Sequence, residues 1–280
     1  MTNIIEVCDL TYTYPDGTQA LRGMNVTFQK GEKIAVLGSN GAGKSTFFLC
    51  LNGILKPQGG TVLYDGQPVR YDSKGLIALR KQVGIVFQDP DAQLFSASVY
   101  QEVSFGAMNL KLSEAVVRER VDSALNEMNI TDLKEKPTHF LSYGQKKRVS
   151  IADILVMEPQ VIIFDEPASC LDPKHAHQID CLFDNLSRNG VTVVVSTHHV
   201  EMAWSWADKV IVLDQGVVAA VGTPLEIFGD ADLLERTSLE KPPVLDVFEC
   251  LQENGSIPLD VPAPRTTEQL KRLIAQYRKG

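Results

Sequence analysis

Ile34-Ala35-Val36-Leu37-Gly38-Ser39-Asn40-Gly41-Ala42-Gly43-Lys44-Ser45-Thr46-Phe47-Phe48 is the stretch on which the architecture of this 280-residue chain turns. It opens with a short apolar run that reads as a buried strand, and Phe47, Phe48 and Leu51 continue it as a helix. Between the two lies GxxxxGK[ST], a phosphate loop in its proper strand-to-helix setting. Its glycines let backbone N–H groups turn inward around phosphates, the helix start adds a positive dipole end, and Lys44 neutralises the β- and γ-phosphates. Gly38, Ser39, Asn40, Gly41, Ala42, Gly43, Lys44, Ser45 and Thr46 are therefore the expected ATP-binding loop, with the Ser45 hydroxyl a ligand for Mg2+.

Outward from this loop, Val83 to Phe87, Val161 to Phe164, Val191 to Val195 and Val210 to Leu213 are continuous apolar runs alternating with helical stretches. Strands apolar on both faces belong to a parallel sheet covered by helices, so the fold class is α/β with a P-loop core. Ahead of the loop, Ile4 to Val7 and Met24 to Phe28, with a hairpin Thr61 to Tyr64 turned at Asp65-Gly66, predict an N-terminal antiparallel β-subdomain. Residues 89–158 are rich in helix signals, among them Ser113 to Met128 with Val117, Val121, Leu125 and Met128 on one side, and read as an inserted helical subdomain. No segment repeats another, so one nucleotide unit is expected, spanning 1–222. After it Thr223-Pro224 starts a short helix, Lys241-Pro242-Pro243 is a break, and Thr267 to Tyr277 places Leu270, Leu273, Ile274 and Tyr277 on one helical face. This extension, 223–280, either folds back on its own domain or packs on a partner as a dimerising element.

The strand Val161 to Phe164 ends in Asp165-Glu166. Two acids at the carboxyl end of a buried strand stand in the crevice where α/β sheets hold ligands, and neighbours on a strand face opposite ways. Asp165 is expected to hold the Mg2+ shell and Glu166 to polarise the attacking water.

Composition narrows the classes further. A formal charge of −8, from 27 basic and 35 acidic side chains, argues against a nucleic-acid partner. The one basic run, Lys146-Lys147-Arg148, reads as a solvated helix face. No apolar run nears the ~20 residues of a spanning helix, and MTNIIEVCDL lacks the basic and apolar regions of a secretory leader, so a cytosolic location is expected. Cys8, Cys50, Cys170, Cys181 and Cys250 have no CxxC spacing and read as reduced, buried thiols.

Leu141-Ser142-Tyr143-Gly144-Gln145 opens a further helix, with Ser142 suited to cap it and Gly144 to admit a close ligand. With this segment the chain resembles the ABC ATPases: LSYGQ is similar to their signature motif and falls between the phosphate loop and the acid pair, as theirs does. Over residues 1–222 the resemblance implies further roles. Gln88 in VFQDP matches the Q-loop, linking the γ-phosphate and metal to the membrane partner. Asp172 in SCLDP matches the D-loop at the dimer interface, and His198 in STHH the switch histidine. Tyr14 in TYTYPDG stands where an aromatic stacks on adenine, with Tyr12 the lesser candidate. In that family the phosphate loop of one subunit faces the signature of the other, so Ser142, Tyr143, Gly144 and Gln145 would act on the partner's ATP. The mate would be a second copy or a related ATPase. His175 and His177, on an early helical turn, are expected to face solvent.

Three positions depart from the pattern: Tyr143 replaces a usual glycine, Ala168 a common threonine and His199 a frequent aspartate. Lys44, Asp165, Glu166 and His198 are all present, so hydrolysis is expected, with Tyr143 bearing on rate and dimer closure. The run Gln93 to Gly106 resembles the coupling region of energy-coupling factor importers, whose ATPases dock there on a separate membrane protein. Without that role, Leu94, Phe95, Val99 and Phe105 read as subdomain core. Ser73 to Arg80 and Gly144 to Arg148 are similar to the cobalt and nickel uptake members. The resemblance thus implies a peripheral motor on the cytoplasmic side of the cell membrane, importing cobalt or nickel ions. A vitamin importer is the alternative, and a DNA-repair or translation ATPase a more distant one.

Overall fold

A computed structural model describes residues 2–169 and 171–277 of the chain. Its central sheet has six strands: β3 (Lys33–Leu37), β6 (Val83–Val86), β7 (Val161–Asp165), β8 (Thr192–Ser196), β9 (Lys209–Asp214) and β10 (Val217–Gly222), in the order β10-β9-β3-β8-β7-β6. Strands β9, β3, β8, β7 and β6 run parallel, and β10 turns back antiparallel on β9. The sequence gives no strong cue for β10, because Val217 to Gly222 is a half-exposed edge strand with two alanines instead of an apolar run.

Alternation along the buried strands joins this sheet to two cores. Ala35 and Leu37 of β3, Ile162 and Phe164 of β7, and Val193 and Val195 of β8 enter one cluster with the helices. Ile34, Val36, Val161, Ile163 and Val194 point the other way, into a cluster with Phe47 and Phe48. Those two phenylalanines lie on α1 (Lys44–Leu51), the helix that the phosphate loop starts. The second cluster also takes the inner face of a four-stranded antiparallel sheet, in which β1 (Asn3–Thr13) is flanked by β2 (Gln19–Gln29) and β4 (Gly59–Tyr64), with β5 (Gln67–Pro68) completing the expected hairpin. Burial on both faces fixes the register of β3, β7 and β8, since a one-residue slip would swap the two cores.

The chain between β6 and β7 carries α3 (Val99–Asn109), α4 (Glu114–Glu127) and α5 (Tyr143–Leu155), packed on one another as the expected insert, after α2 (Ser73–Gln82) has led into β6. Beyond β7 come α6 (Pro173–Arg188) and, after β8, α7 (Val200–Trp206). The final segment forms α8 (Pro224–Phe228), α9 (Ala231–Thr237), α10 (Pro243–Glu253) and α11 (Thr267–Tyr277). Phe228 and Leu245 join the helical core. Leu270 of α11 is buried against Phe248 and Ile257, so the last helix packs within its own chain. Its connection is pinned to α7, where the Trp204 indole donates to the Pro264 carbonyl at 2.9 Å and the Arg265 guanidinium lies 5.2 Å from the Trp204 ring.

Two expectations fail. Of the described cysteines only Cys50 is buried, whereas Cys8, Cys181 and Cys250 are exposed; Cys170 lies outside the described residues. Lys147 is not on a solvated face but fully buried.

Candidate functional site

The phosphate loop owes its shape to glycine. Gly38, Gly41 and Gly43 all have φ in the left-handed range. A Cβ on Gly38 would lie 2.3 Å from the Leu213 carbonyl oxygen, and one on Gly43 2.8 Å from that of Ala20. Gly43 ends the loop and α1 begins at Lys44. The Lys44 side chain folds back into the loop, its ammonium donating to the carbonyls of Gly38 at 2.7 Å and Ser39 at 3.1 Å. Burial pulls this ammonium below its ordinary pKa, while the carboxylates of Glu166 and Asp165 act the other way. Beside it a cleft of about 530 Å³ is lined by the loop, Tyr14, Gln88, Glu166 and Gly216. Tyr14 lines this cleft, its hydroxyl 2.9 Å from Thr46 Oγ1, while Tyr12 packs on the core of the β-subdomain.

The acid pair stands at the end of β7. Asp165 is buried, its Oδ2 accepting from the Ser45 hydroxyl and its Oδ1 from the Ser196 hydroxyl, each at 2.6 Å. Ser196 Oγ in turn accepts the backbone N–H of Glu166 at 2.9 Å. That bond helps hold Glu166 at φ 45°, a left-handed conformation costing a non-glycine residue about 1–2 kcal/mol. The strained backbone aims the Glu166 carboxylate between two partners: Oε1 is 2.5 Å from His198 Nε2, and Oε2 accepts from Gln88 Nε2 at 3.3 Å.

Lys44, Ser45, Gln88, Asp165, Glu166 and His198 are thus brought together from four separate stretches of sequence. Signature residues are not part of this group. Ser142 caps α5 through a reciprocal box with Gln145, its N–H donating to Gln145 Oε1 at 3.0 Å, and none of Ser142 to Gln145 lines the cleft. A Cβ on Gly144 would meet Leu171 Cδ2 at 3.4 Å, an ordinary contact, while Ser142 and Tyr143 at the start of α5 are exposed. Asp172 caps α6, accepting from the His175 N–H at 3.0 Å and bonding the His175 ring, contacts that draw its carboxyl below the usual range. His175 thus stays partly exposed while bonding Asp172, and His177 is exposed near Cys181.

Two contributors escape a reading by motif. Ser196, present in the sequence only as the first residue of STHH, links the Asp165 carboxylate to the Glu166 backbone N–H. Lys147 donates from inside the fold to the carbonyls of Phe87 at 2.9 Å and Gln88 at 2.7 Å. Its signal is helical spacing: Lys147, Ile151 and Ile154 share a buried stripe of α5.

A groove of about 830 Å³ opens between α2, β6, α3 and α5, with Phe87, Phe95, Phe105 and Ile77 in its wall. Val99 is core as expected, but Phe95 and Phe105 are exposed, meeting edge to face at 5.1 Å. Asp153 lies in this wall, and burial, with Glu102 nearby, pushes its carboxyl up to about 7 against a weaker opposing bond from Gln93. Folded Asp153 therefore keeps a proton that the unfolded chain releases between pH ~4 and ~7, so its contribution to stability falls as pH rises through that window. Asp153→Asn is expected to raise the melting temperature at pH 8, by up to about 4 kcal/mol in stability, with the gain vanishing near pH 4; melting curves at the two pH values check it.

Comparison with known proteins now bears on this geometry. The family model described as ABC transporter matches residues 21–169. The chain belongs to the ABC transporter family. It is 47% identical over 277 residues to the energy-coupling factor transporter ATP-binding protein EcfA3 of Clostridium perfringens, covering 99% of this chain and 94% of that one. This match places the cassette among the energy-coupling factor ATP-binding proteins, ATP-hydrolysing motors of transporters. A solved structure of cbiO1 from Clostridium perfringens, described as part of the ABC transporter complex cbiONQ, is 47% identical with TM-score 0.73, over 90% of this cassette and 100% of that chain. The dimeric post-hydrolysis structure of the ATP-binding cassette MJ0796 with ADP and Pi is 27% identical, also with TM-score 0.73, over 79% of this cassette and 99% of that chain. Among the described residues no helix is long and apolar enough to cross a membrane, as expected.

Proposed function

We propose that this cassette pairs with a second copy or a close relative on the cytoplasmic face of the membrane and powers import of cobalt or nickel ions. The observation that carries the reading is the Glu166 carboxylate held between His198 and Gln88, beside the Ser45 and Asp165 oxygens and facing Lys44. In this reading Lys44 neutralises the β- and γ-phosphates, and Tyr14 stacks on adenine. Ser45 and Asp165, oxygen donors 2.6 Å apart, suit a hard cation such as Mg2+, with Gln88 adjoining. When bound, Mg2+ offsets the charge on the terminal phosphates. Glu166 takes the proton of the attacking water as that oxygen bonds to the γ-phosphorus and the bond to ADP breaks, while His198 and Gln88 keep the carboxylate aimed. Ser142 to Gln145, which do not line this chain's own cleft, meet the partner's γ-phosphate, and Asp172 lies at the junction of the pair.

Membrane-embedded components dock near Gln88 to Gly106, a reading supported by the exposed Phe95 and Phe105 at the groove. The cargo assignment draws on the resemblance of residues 73–80 and 144–148 to metal-uptake members, and the unit boundary stays at residue 222. Reconstitution in proteoliposomes with the co-purifying membrane components tests the proposal. ATP-driven accumulation of radioactive cobalt or nickel, lost with Glu166→Gln, is the expected result. Accumulation of a vitamin instead would overturn the cargo, and hydrolysis stimulated by DNA with no membrane partner would overturn the transport role.

A further inference from the structure

One face of α5 is committed to the segment that follows β6. Tyr143 Oη donates to the Gln88 carbonyl at 3.1 Å, and the Lys147 ammonium donates to the same carbonyl at 2.7 Å and to that of Phe87 at 2.9 Å. Lys146 pairs with Asp91 at 2.6 Å. One turn on, Gln93 accepts from the Phe87 N–H and donates to the Ser150 carbonyl. Residues 143, 146, 147 and 150 are spaced i, i+3, i+4, i+7, a single helical stripe. Lys147 is fully buried, so its bonds to two carbonyls offset the desolvation of an ammonium and are costly to break. Gln88 is therefore held from both ends: its side chain reaches Glu166, and its backbone is tied to the helix whose first turn is the signature.

We infer that Tyr143 and Lys147 are positioning residues that strap the Gln88 loop to α5, so that each chain's γ-phosphate sensor and the signature it offers its mate move as one piece. The inference rests on the paired arrangement proposed above. The usual glycine at position 143 could not reach the Gln88 carbonyl, which gives the departure of this signature a purpose. ATP gained or lost in a chain's own cleft shifts Gln88, and the strap carries the shift to Ser142, which faces the other nucleotide.

Tyr143→Phe removes one hydroxyl and no packing, so the fold is kept. Two mixed dimers test it, each with Glu166→Gln in one protomer so that a single site turns over. With Tyr143→Phe in the protomer owning the live site, the altered signature serves only the dead one; with it in the other protomer, the altered signature serves the live one. The strap requires turnover to fall about three- to tenfold in both arrangements, the range for losing one hydrogen bond. A fall only in the second would make Tyr143 a signature residue and nothing more, and no fall in either would equally overturn the strap. Hydrogen exchange of the single chain without nucleotide reads the strap apart from dimerisation. Amides of 87–91 and of 143–147 should both exchange faster in the variant by a similar factor. Unchanged exchange refutes the inference, whereas faster exchange in a chain that never pairs refutes only the paired reading.

Discussion

Glu166→Gln is expected to lower the rate of ATP hydrolysis by about 10²- to 10⁴-fold, the usual worth of a positioned general base, while ATP binding stays close to normal. Glutamine keeps the shape of the side chain and the left-handed backbone that aims it but cannot take a proton. Both original contacts, to His198 and to Gln88, can be replaced by bonds of the amide. Bound ATP then persists, and a species of twice the mass should accumulate on size exclusion with ATP and Mg2+ and collapse with ADP. Steady-state turnover and elution volume are the measurements; rapid turnover by the variant removes Glu166 from its assigned role.

Lys44→Met is the second large effect. The ammonium sits inside the loop at the point where the phosphates are expected, and charge-assisted bonds to phosphate contribute about 1.5–3 kcal/mol each, so ATP affinity should fall roughly 10- to 150-fold. The folded chain without nucleotide should be little altered. Loss of the bonds to Gly38 and Ser39 is opposed by relief of the desolvation of a buried ammonium. Thermal shift separates these terms. At ATP a hundred times its dissociation constant the parent gains about 2.7 kcal/mol, and the variant at the same concentration should gain about 1.5 kcal/mol or less. Equal shifts would show that Lys44 does not hold the phosphates.

Much of this molecule is legible in its sequence. The phosphate loop declares itself because backbone N–H groups can converge on phosphate only where several residues lack a Cβ, and Gly38 and Gly43 meet carbonyls where a Cβ would be. Strands β3, β7 and β8 are legible because burial on both sides demands apolar residues throughout. What stayed hidden is what depends on the third dimension. Strand β10 has one half-wet face and therefore no run. Ser196 is one small hydroxyl whose role comes from standing beside β7. Lys147 looked like a surface charge because basic residues mostly are; only the apolar company it keeps along α5 marks it as buried. Phe95 and Phe105, indistinguishable by type from core residues, lie in the open.

Both tryptophans of the chain are on α7, Trp204 and Trp206, within eight residues of His198. Trp204 holds the Pro264 connection, and Trp206 touches Phe183, which packs on Phe164 of β7 next to the acid pair. The protein therefore carries a native optical reporter whose tryptophan emission arises from a single helix between His198 and the tail. Nucleotide-dependent movement there can be followed in real time by intrinsic fluorescence, with no label attached.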